Sequence, residues 1–296
     1  MRTRLILVGM TLALLVTRQT AFAAPGMVFT DPRPVVIQGY SGVAMEPFLS
    51  RDGRILFFNN SNDPHVDTNL YLADRIDDLT FRLRGLLPGA NSRDLDAVAS
   101  MDSEGAFYFV SSRDYAATGA LIHRGHFDGA RVTGVEVVPG LVSPGHPGFN
   151  FDAEVTADGL QLYYVEGRRG ADVATLAVAE RRGDGFAKAA NSDAILQAVN
   201  TPGMTYAPAT SADGLELFFT HLPPRVLLFQ APPKIYEATR RSTNQPFGAP
   251  VEITGLGDFV EAPILSPDGL SLYYHACSGR RCSLYRATRA QRPVGR

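Results

Sequence analysis

Along this chain the apolar and polar residues fall into one phrase that recurs: a polar turn holding glycine, then a run of apolar residues. It reads EPFLSRDGRILFFNN at 46–60, ASMDSEGAFYFVSS at 99–112, AEVTADGLQLYYVEG at 153–167, APATSADGLELFFTH at 207–221 and APILSPDGLSLYYHA at 262–276. The turn glycines are Gly53, Gly105, Gly159, Gly214 and Gly269, spaced 52, 54, 55 and 55 residues apart. Self-similarity at so constant a period is the mark of a repeat architecture. Each apolar run is followed by an alternating segment: NLYLADR (69–75), ALIHRGHF (120–127), ATLAVAER (174–181), KIYEATR (234–240) and SLYRATR (283–289). Alternation with period two predicts half-buried strands. A weaker apolar segment (LTFRLRGLL, RVTGVEVV, FAKAANSDAIL, FGAPVEI) then closes each of the first four units.

Each unit is thus predicted to hold four short strands, a to d. The Asp-Gly step between a and b suits a tight hairpin, because glycine tolerates the positive φ such a turn needs. No amphipathic helix longer than two turns is evident, and Ser192–Val199 is the one ambiguous stretch. Four strands repeated five times predict an all-β fold, a five-bladed β-propeller of four-stranded antiparallel blades. Blade cores fall near 44–87, 95–138, 151–196, 205–253 and 260–289. The runs LFF, FYF, LYY, LFF and LYY are read as the packing layers between blades. The fifth unit has no strand d after Arg289. PVVIQGYSGVAMEPFLSRDG (34–53) aligns without a gap with PVEITGLGDFVEAPILSPDG (250–269). Residues 34–38 are therefore expected to be the outer strand of the last blade, beside Leu284, closing the ring and hiding an edge. On this reading residues 24–296 form a single domain.

The phrase carries a family likeness. Ser266-Pro267-Asp268-Gly269, followed by LSLYY and LYRATR, resembles the WD40-like repeat called PD40, the TolB-type β-propeller repeat. Ser50-Arg51-Asp52-Gly53 and Ser211-Ala212-Asp213-Gly214 match well, Thr156 replaces the serine in the third unit, and the second degenerates to Asp102-Ser103-Glu104-Gly105. The likeness spans roughly residues 34–289 and implies the fold more than the function. Such repeats occur in periplasmic assembly and binding proteins, and as accessory or catalytic domains beside peptidases and lyases. TolB itself has a further N-terminal domain that this sequence lacks, so its particular partners are not carried over.

The N-terminus reads as an address. Arg2 and Arg4 precede an apolar stretch, Leu5–Val16, and Ala21-Phe22-Ala23 fits a cleavage site, so residues 1–23 are read as a secretory signal peptide. No cysteine follows the stretch, which argues against a lipid anchor. The expectation is an exported protein, periplasmic or secreted, soluble and monomeric. Removing Arg2, Arg4 and Arg18 leaves 25 basic against 30 acidic residues, net −5. That balance argues against a nucleic-acid footprint. The 28 Gly and 20 Pro fit a turn-rich fold. Arginine supplies 26 of the 28 basic residues, a bias read as genome composition rather than binding.

The longer d–a and b–c loops should share one face, and chemistry in all-β scaffolds usually lives on such loops. That face should present Asp63, His65, Asp67, Arg93, Asp94, Arg113, Asp114, Tyr115, His146, Arg168, Arg169, Tyr206 and Asp258, with His221 and His275 at the ends of strand b. Acids recur where strand a begins, at the expected channel mouth: Glu46, Asp96, Asp152 and Glu261. Two readings stand. They form a carboxylate ring that binds a polar ligand or performs acid–base work on a sugar, or they fix neighbouring loop amides. The histidines lie on different blades without paired spacing, so no metal site or cofactor is expected. Asn62–Asp67 lacks the glycine and terminal glutamate of an EF-hand loop. The loop LPPRVLLFQAPP (222–233) concentrates Leu222, Val226, Leu227, Leu228 and Phe229 where other units are polar. It either folds over the mouth or exposes a partner-binding patch. Cys277 and Cys282 flank a hairpin and should form a disulfide in an oxidising compartment. No phosphate loop, nucleophile elbow or zincin motif is present. The leading expectation is a binding module for a partner protein or small polar ligand; the alternative is a carbohydrate-active hydrolase or lyase.

Overall fold

In a computed structural model the described residues are 28–63, 65–142, 148–168, 172–226 and 229–290. The signal-peptide reading, His146, Arg169 and Leu227–Leu228 lie outside them. Among the described residues the chain is all-β: twenty-one strands and two one-turn helices. It enters with β1 (Val28–Pro34) and β2 (Val36–Gln38). The first unit is β3 (Met45–Leu49), β4 (Ile55–Asn59), β5 (Leu70–Arg75) and β6 (Thr80–Leu86). The second is β7 (Asp96–Met101), β8 (Ala106–Ser111), β9 (Ile122–Phe127) and β10 (Val132–Val137), with helix α1 (Tyr115–Thr118) in its b–c loop. The third is β11 (Gly148–Val155), β12 (Gln161–Arg168), β13 (Ala174–Arg182) and β14 (Gly185–Lys188). Helix α2 (Ser192–Ile195) follows, so the ambiguous stretch begins with one helical turn. The fourth is β15 (Met204–Thr210), β16 (Glu216–Leu222), β17 (Lys234–Thr239) and β18 (Val251–Glu252). The fifth is β19 (Val260–Leu265), β20 (Ser271–Ser278) and β21 (Arg281–Ala290). Successive strands of each unit pair antiparallel.

The turn phrase has a physical cause. Ser50 Oγ donates to Asp52 Oδ1, and Asp52 Oδ1 accepts the Arg54 N–H two residues on. The same closed turn recurs at Thr156/Asp158, Ser211/Asp213 and Ser266/Asp268. Strand b then runs between two other strands and between neighbouring units, so both its faces are covered. Phe57, Phe58, Tyr108, Tyr163, Tyr164, Tyr273 and Tyr274 are all essentially fully buried, as the layer reading expects.

Four units carry an arginine at or within one residue of the end of strand c, and each guanidinium reaches back to its own turn glycine. Arg75, Arg181, Arg240 and Arg289 donate to the carbonyl oxygens of Gly53, Gly159, Gly214 and Gly269. Three of them also grip the preceding unit: Arg181 on Tyr108 Oη at 3.1 Å, Arg240 on Tyr163 Oη at 3.2 Å and Arg289 on Glu216 at 2.7 Å. The fifth unit is tied to the first by Tyr273 Oη on the Asp78 carbonyl (2.7 Å) and by the Arg286–Asp78 ion pair (2.9 Å).

The expected closing strand is corrected in register. The strand paired with β21 is β1, residues 28–34, and β2 runs parallel to β6 of the first unit instead. The crossing lies between two neighbouring amides: Val35 N–H donates to Leu284 O and Val36 N–H to Leu79 O. Successive amides of an extended chain point to opposite sides, so one short segment stitches both edges. The cysteines bond as expected, at directly opposed positions of β20 and β21.

Candidate functional site

The mouth is built on a backbone irregularity shared by every first strand. Glu46, Val98, Asp152, Ala207 and Ala262 all have positive φ, between 44° and 54°. Each stands seven residues before a turn glycine, so they repeat with the same period. At each one the pairing register of the strand shifts. A left-handed non-glycine residue costs on the order of 1–3 kcal/mol and persists only where surroundings impose it. Here the imposed feature is an amide turned toward the neighbouring unit. Val98 N–H donates to Asn59 Oδ1 (3.2 Å), Ala262 N–H to Thr220 Oγ1 (3.0 Å) and Glu46 N–H to His275 Nδ1 (3.3 Å). Asn59, Thr220 and His275 each stand six residues after a turn glycine of the adjacent unit. In the third unit that place is held by Val165, whose side chain has no acceptor, and the Ala207 amide is taken by Asp152 Oδ2 at 2.9 Å.

Three of the four expected acids meet at this mouth. Glu261 uses both oxygens: Oε1 accepts the Tyr206 hydroxyl and Oε2 meets His275 Nε2 at 3.1 Å. Since His275 Nδ1 accepts an amide hydrogen, the ring hydrogen is assigned to Nε2 and donated to Glu261. Glu46 Oε1 accepts Asn62 Nδ2 at 2.6 Å. Burial pushes the Glu46 carboxyl above its ordinary range; His275 and Asn62 oppose the rise and the Glu261 charge adds to it. Asp152 is pushed up to about 8, first by burial and then by the charge of Glu46, against the opposing Ala207 hydrogen bond. Burial, reinforced by Glu261, raises the Tyr206 phenol well above its usual value.

The fourth acid is a correction. Asp96 precedes its bulge residue by two positions and faces the loop, not the mouth. It is fully buried, pairs with Arg113 at 2.6 Å and accepts Ser92 Oγ at 2.8 Å. Glu154, which sequence reasoning missed, lies two residues beyond Asp152 and lines the same cavity. It pairs with Arg51 at 3.1 Å and accepts Ser100 Oγ at 2.7 Å. Arg51, the only long side chain at its position among the five turns, also donates to the Met101 carbonyl (2.7 Å). The space enclosed between the five bulges has a volume of about 30 Å³, room for one or two waters.

The remaining expected residues are dispersed. His65 is exposed on a loop, Arg168 is exposed at the end of β12, and Tyr115 opens α1. Arg113 is spent on Asp96 and on the face of Phe109. His221 is buried between Thr201 and Thr205, and that burial lowers its pKa. No group of three or more His, Cys, Asp or Glu able to hold a metal occurs among the described residues. In the 222–233 loop the described residues Val226 and Phe229 point to solvent. Val226 and Phe229 exchange both backbone hydrogen bonds at 3.0 Å and are 66 % and 68 % exposed. In the 62–67 loop the Asp67 and Asp63 carbonyls accept Asn60 Nδ2 and Thr68 Oγ1, while Asn62 reaches Glu46 at the mouth. No described helix is long and apolar enough to cross a membrane.

No family model matches the chain, and no curated protein matches it. Solved structures do. A protein titled as a glycoside hydrolase aligns with TM-score 0.59 and 12 % identity, over 89 % of this chain and 91 % of that one. A family 117 glycoside hydrolase from the marine bacterium Zobellia galactanivorans aligns with TM-score 0.59 and 9 % identity, over 90 % and 91 %. TolB from Acinetobacter baumannii aligns with TM-score 0.48 and 15 % identity; the chain covers 54 % of that TolB, and 84 % of this chain is matched. At these identities the likeness is one of fold: the chain is all-β and propeller-like.

Proposed function

We propose that the chain is a closed five-bladed propeller that acts as an exported binding module. It recognises a partner protein or a small polar ligand on the face that carries the d–a and b–c loops. The domain runs from residue 24, after cleavage at Ala23, and works as a periplasmic or secreted monomer. The observation that carries this reading is how the mouth acids are used. Glu46 accepts the Asn62 amide, Asp152 accepts the Ala207 amide hydrogen, Glu261 has both oxygens engaged, and the cavity between the bulges has room for only one or two waters. The same face presents two apolar side chains of the 222–233 loop, Val226 and Phe229, to solvent. Apolar side chains projected from a loop are suited to insertion into a partner. The test is pull-down from periplasmic extract with the wild type, with a Val226→Ser/Phe229→Ser variant and with Leu160→Ser on the opposite face as control. Loss of the bound species in the loop variant alone supports the reading; equal recovery from all three overturns it.

A second reading, a glycoside hydrolase, draws on one observation. Asp152 is held protonated near neutrality while Glu261 sits in a hydrogen-bonded setting with His275 and Tyr206. A carboxyl group raised by burial, with a second carboxylate nearby, is the pairing that acid–base work on a glycosidic bond uses. Turnover of aryl glycosides that disappears in both Asp152→Asn and Glu261→Gln would favour it.

A further inference from the structure

The Cys277–Cys282 bond sits where the mouth is anchored. Cys277 N–H donates to the carbonyl of Phe259 at 3.1 Å, and Cys282 O accepts the Ala44 N–H at 3.3 Å. Phe259 lies two residues before Glu261, Ala44 two before Glu46, and Cys277 two after His275. Each of the three interacting mouth groups is therefore two residues from a point fixed by the cystine. These are the segments that bring the fifth unit onto the first, through Glu46 N–H on His275 Nδ1. The hairpin itself needs little help. Its strands pair without interruption from Ser271↔Thr288 to Ser278↔Arg281, and a bond across so short a loop removes little chain entropy. Cys277 is partly open to solvent while Cys282 is buried, at the exposed end of the loop face.

We propose that this disulfide is a redox-controlled clamp on the channel mouth. A dithiol reductant reaches Cys277: its thiolate attacks Cys277 Sγ, the Sγ–Sγ bond breaks, and Cys282 leaves as a thiolate that takes up a proton. The second thiol of the reductant then displaces Cys277 as a thiol. The protein disulfide is reduced and the dithiol becomes a disulfide, with atoms and electrons balanced. Without the bond the hairpin stays paired but Cys277 and Cys282 are no longer held at one fixed spacing, the Ala44 and Phe259 anchors loosen, and the Glu46–His275 contact opens. The consequence for recognition rests on the loop face being the binding face; the local opening does not.

The experiment is hydrogen exchange on the purified full chain, oxidised and after a native dithiothreitol step, with thiol alkylation to score reduction. Exchange in 42–49, 256–266 and 271–285 should rise about tenfold on reduction, while β8 and β9 stay unchanged. A Cys277→Ser/Cys282→Ser variant should show the same pattern without reductant. No change in those segments after full reduction, a cystine that native dithiothreitol leaves intact, or a rise across the whole chain would each overturn the proposal. Partner recovery measured on the same two states separates this outcome from failure of the binding reading: local opening with unchanged recovery keeps the clamp and removes the loop face as its target.

Discussion

Asp152 accepts the amide hydrogen of Ala207 at 2.9 Å, and in doing so supplies what Val165 cannot. At the matching place in other units Asn59, Thr220 and His275 present an acceptor to the next unit's left-handed residue. One apolar substitution in the repeat is thus offset by one acid at the bulge. This relationship gives the acid an architectural reason to be buried, independent of any ligand.

The buried acid should make stability depend on pH. Asp152 titrates near 8 in the folded chain and near 3.8 when unfolded. Between those values the folded state holds the extra proton, so stability falls as pH rises from about 4 to about 8. Asp152→Asn keeps an acceptor for Ala207 and carries no charge. We expect it to be the more stable protein at pH 9, by at least about 1.4 kcal/mol, the worth of one pKa unit, with the advantage gone by pH 4. Denaturation curves across that range measure this; parallel curves for variant and wild type would contradict it.

Arg181 should behave as a staple between units. It donates to Gly159 O at 2.7 Å and Tyr108 Oη at 3.1 Å, and its guanidinium lies 4.9 Å from the Phe186 ring centre. Arg181→Met should cost about 1–3 kcal/mol, and Arg181→Lys should recover less than half, because one ammonium cannot reproduce the planar fork. Full recovery by lysine in urea melts would show that charge alone matters.

Gly89 has φ +82°, and a Cβ there would overlap the Val132 carbonyl oxygen. The contact is with backbone, so no side chain can move aside. Gly89→Ala should cost more than about 2 kcal/mol, read as a drop in melting temperature. A variant as stable as the wild type would mean that the loop and β10 are free to separate.

Much of the architecture is legible in the residues, and the rest is hidden for identifiable reasons. Glycine spacing locates every unit, because the Ser-x-Asp-Gly turn needs those residues. The bulge residues share that spacing, yet nothing in Glu, Val, Asp, Ala and Ala advertises a left-handed backbone. Sequence position therefore groups Glu46 and Asp152 correctly with Glu261, while Asp96, an acid in a similar stretch, stands two positions off and faces Arg113. The strand-c arginines are visible as a repeat but read as compositional bias; four of them cap turns. The closing strand is displaced because a sequence match cannot say which of two edges an extended segment will pair with, and this one pairs with both. His221 and Arg113 reach the expected face but are consumed by neighbours, which no single sequence reveals.

The claim that the mouth acids are architectural is tested most directly by restoring the missing acceptor. Thermal unfolding should be compared at pH 4, where the Asp152 charge makes no difference, for the wild type, Asp152→Ala, Val165→Thr and the double variant. Asp152→Ala alone should lose about 1–3 kcal/mol, the cost of a buried amide left unpaired. In the Val165→Thr background, where the added hydroxyl can accept the Ala207 amide, the same Asp152→Ala change should lose less than half as much. Equal losses in both backgrounds would contradict the claim and return Asp152 to the ligand-binding or catalytic reading.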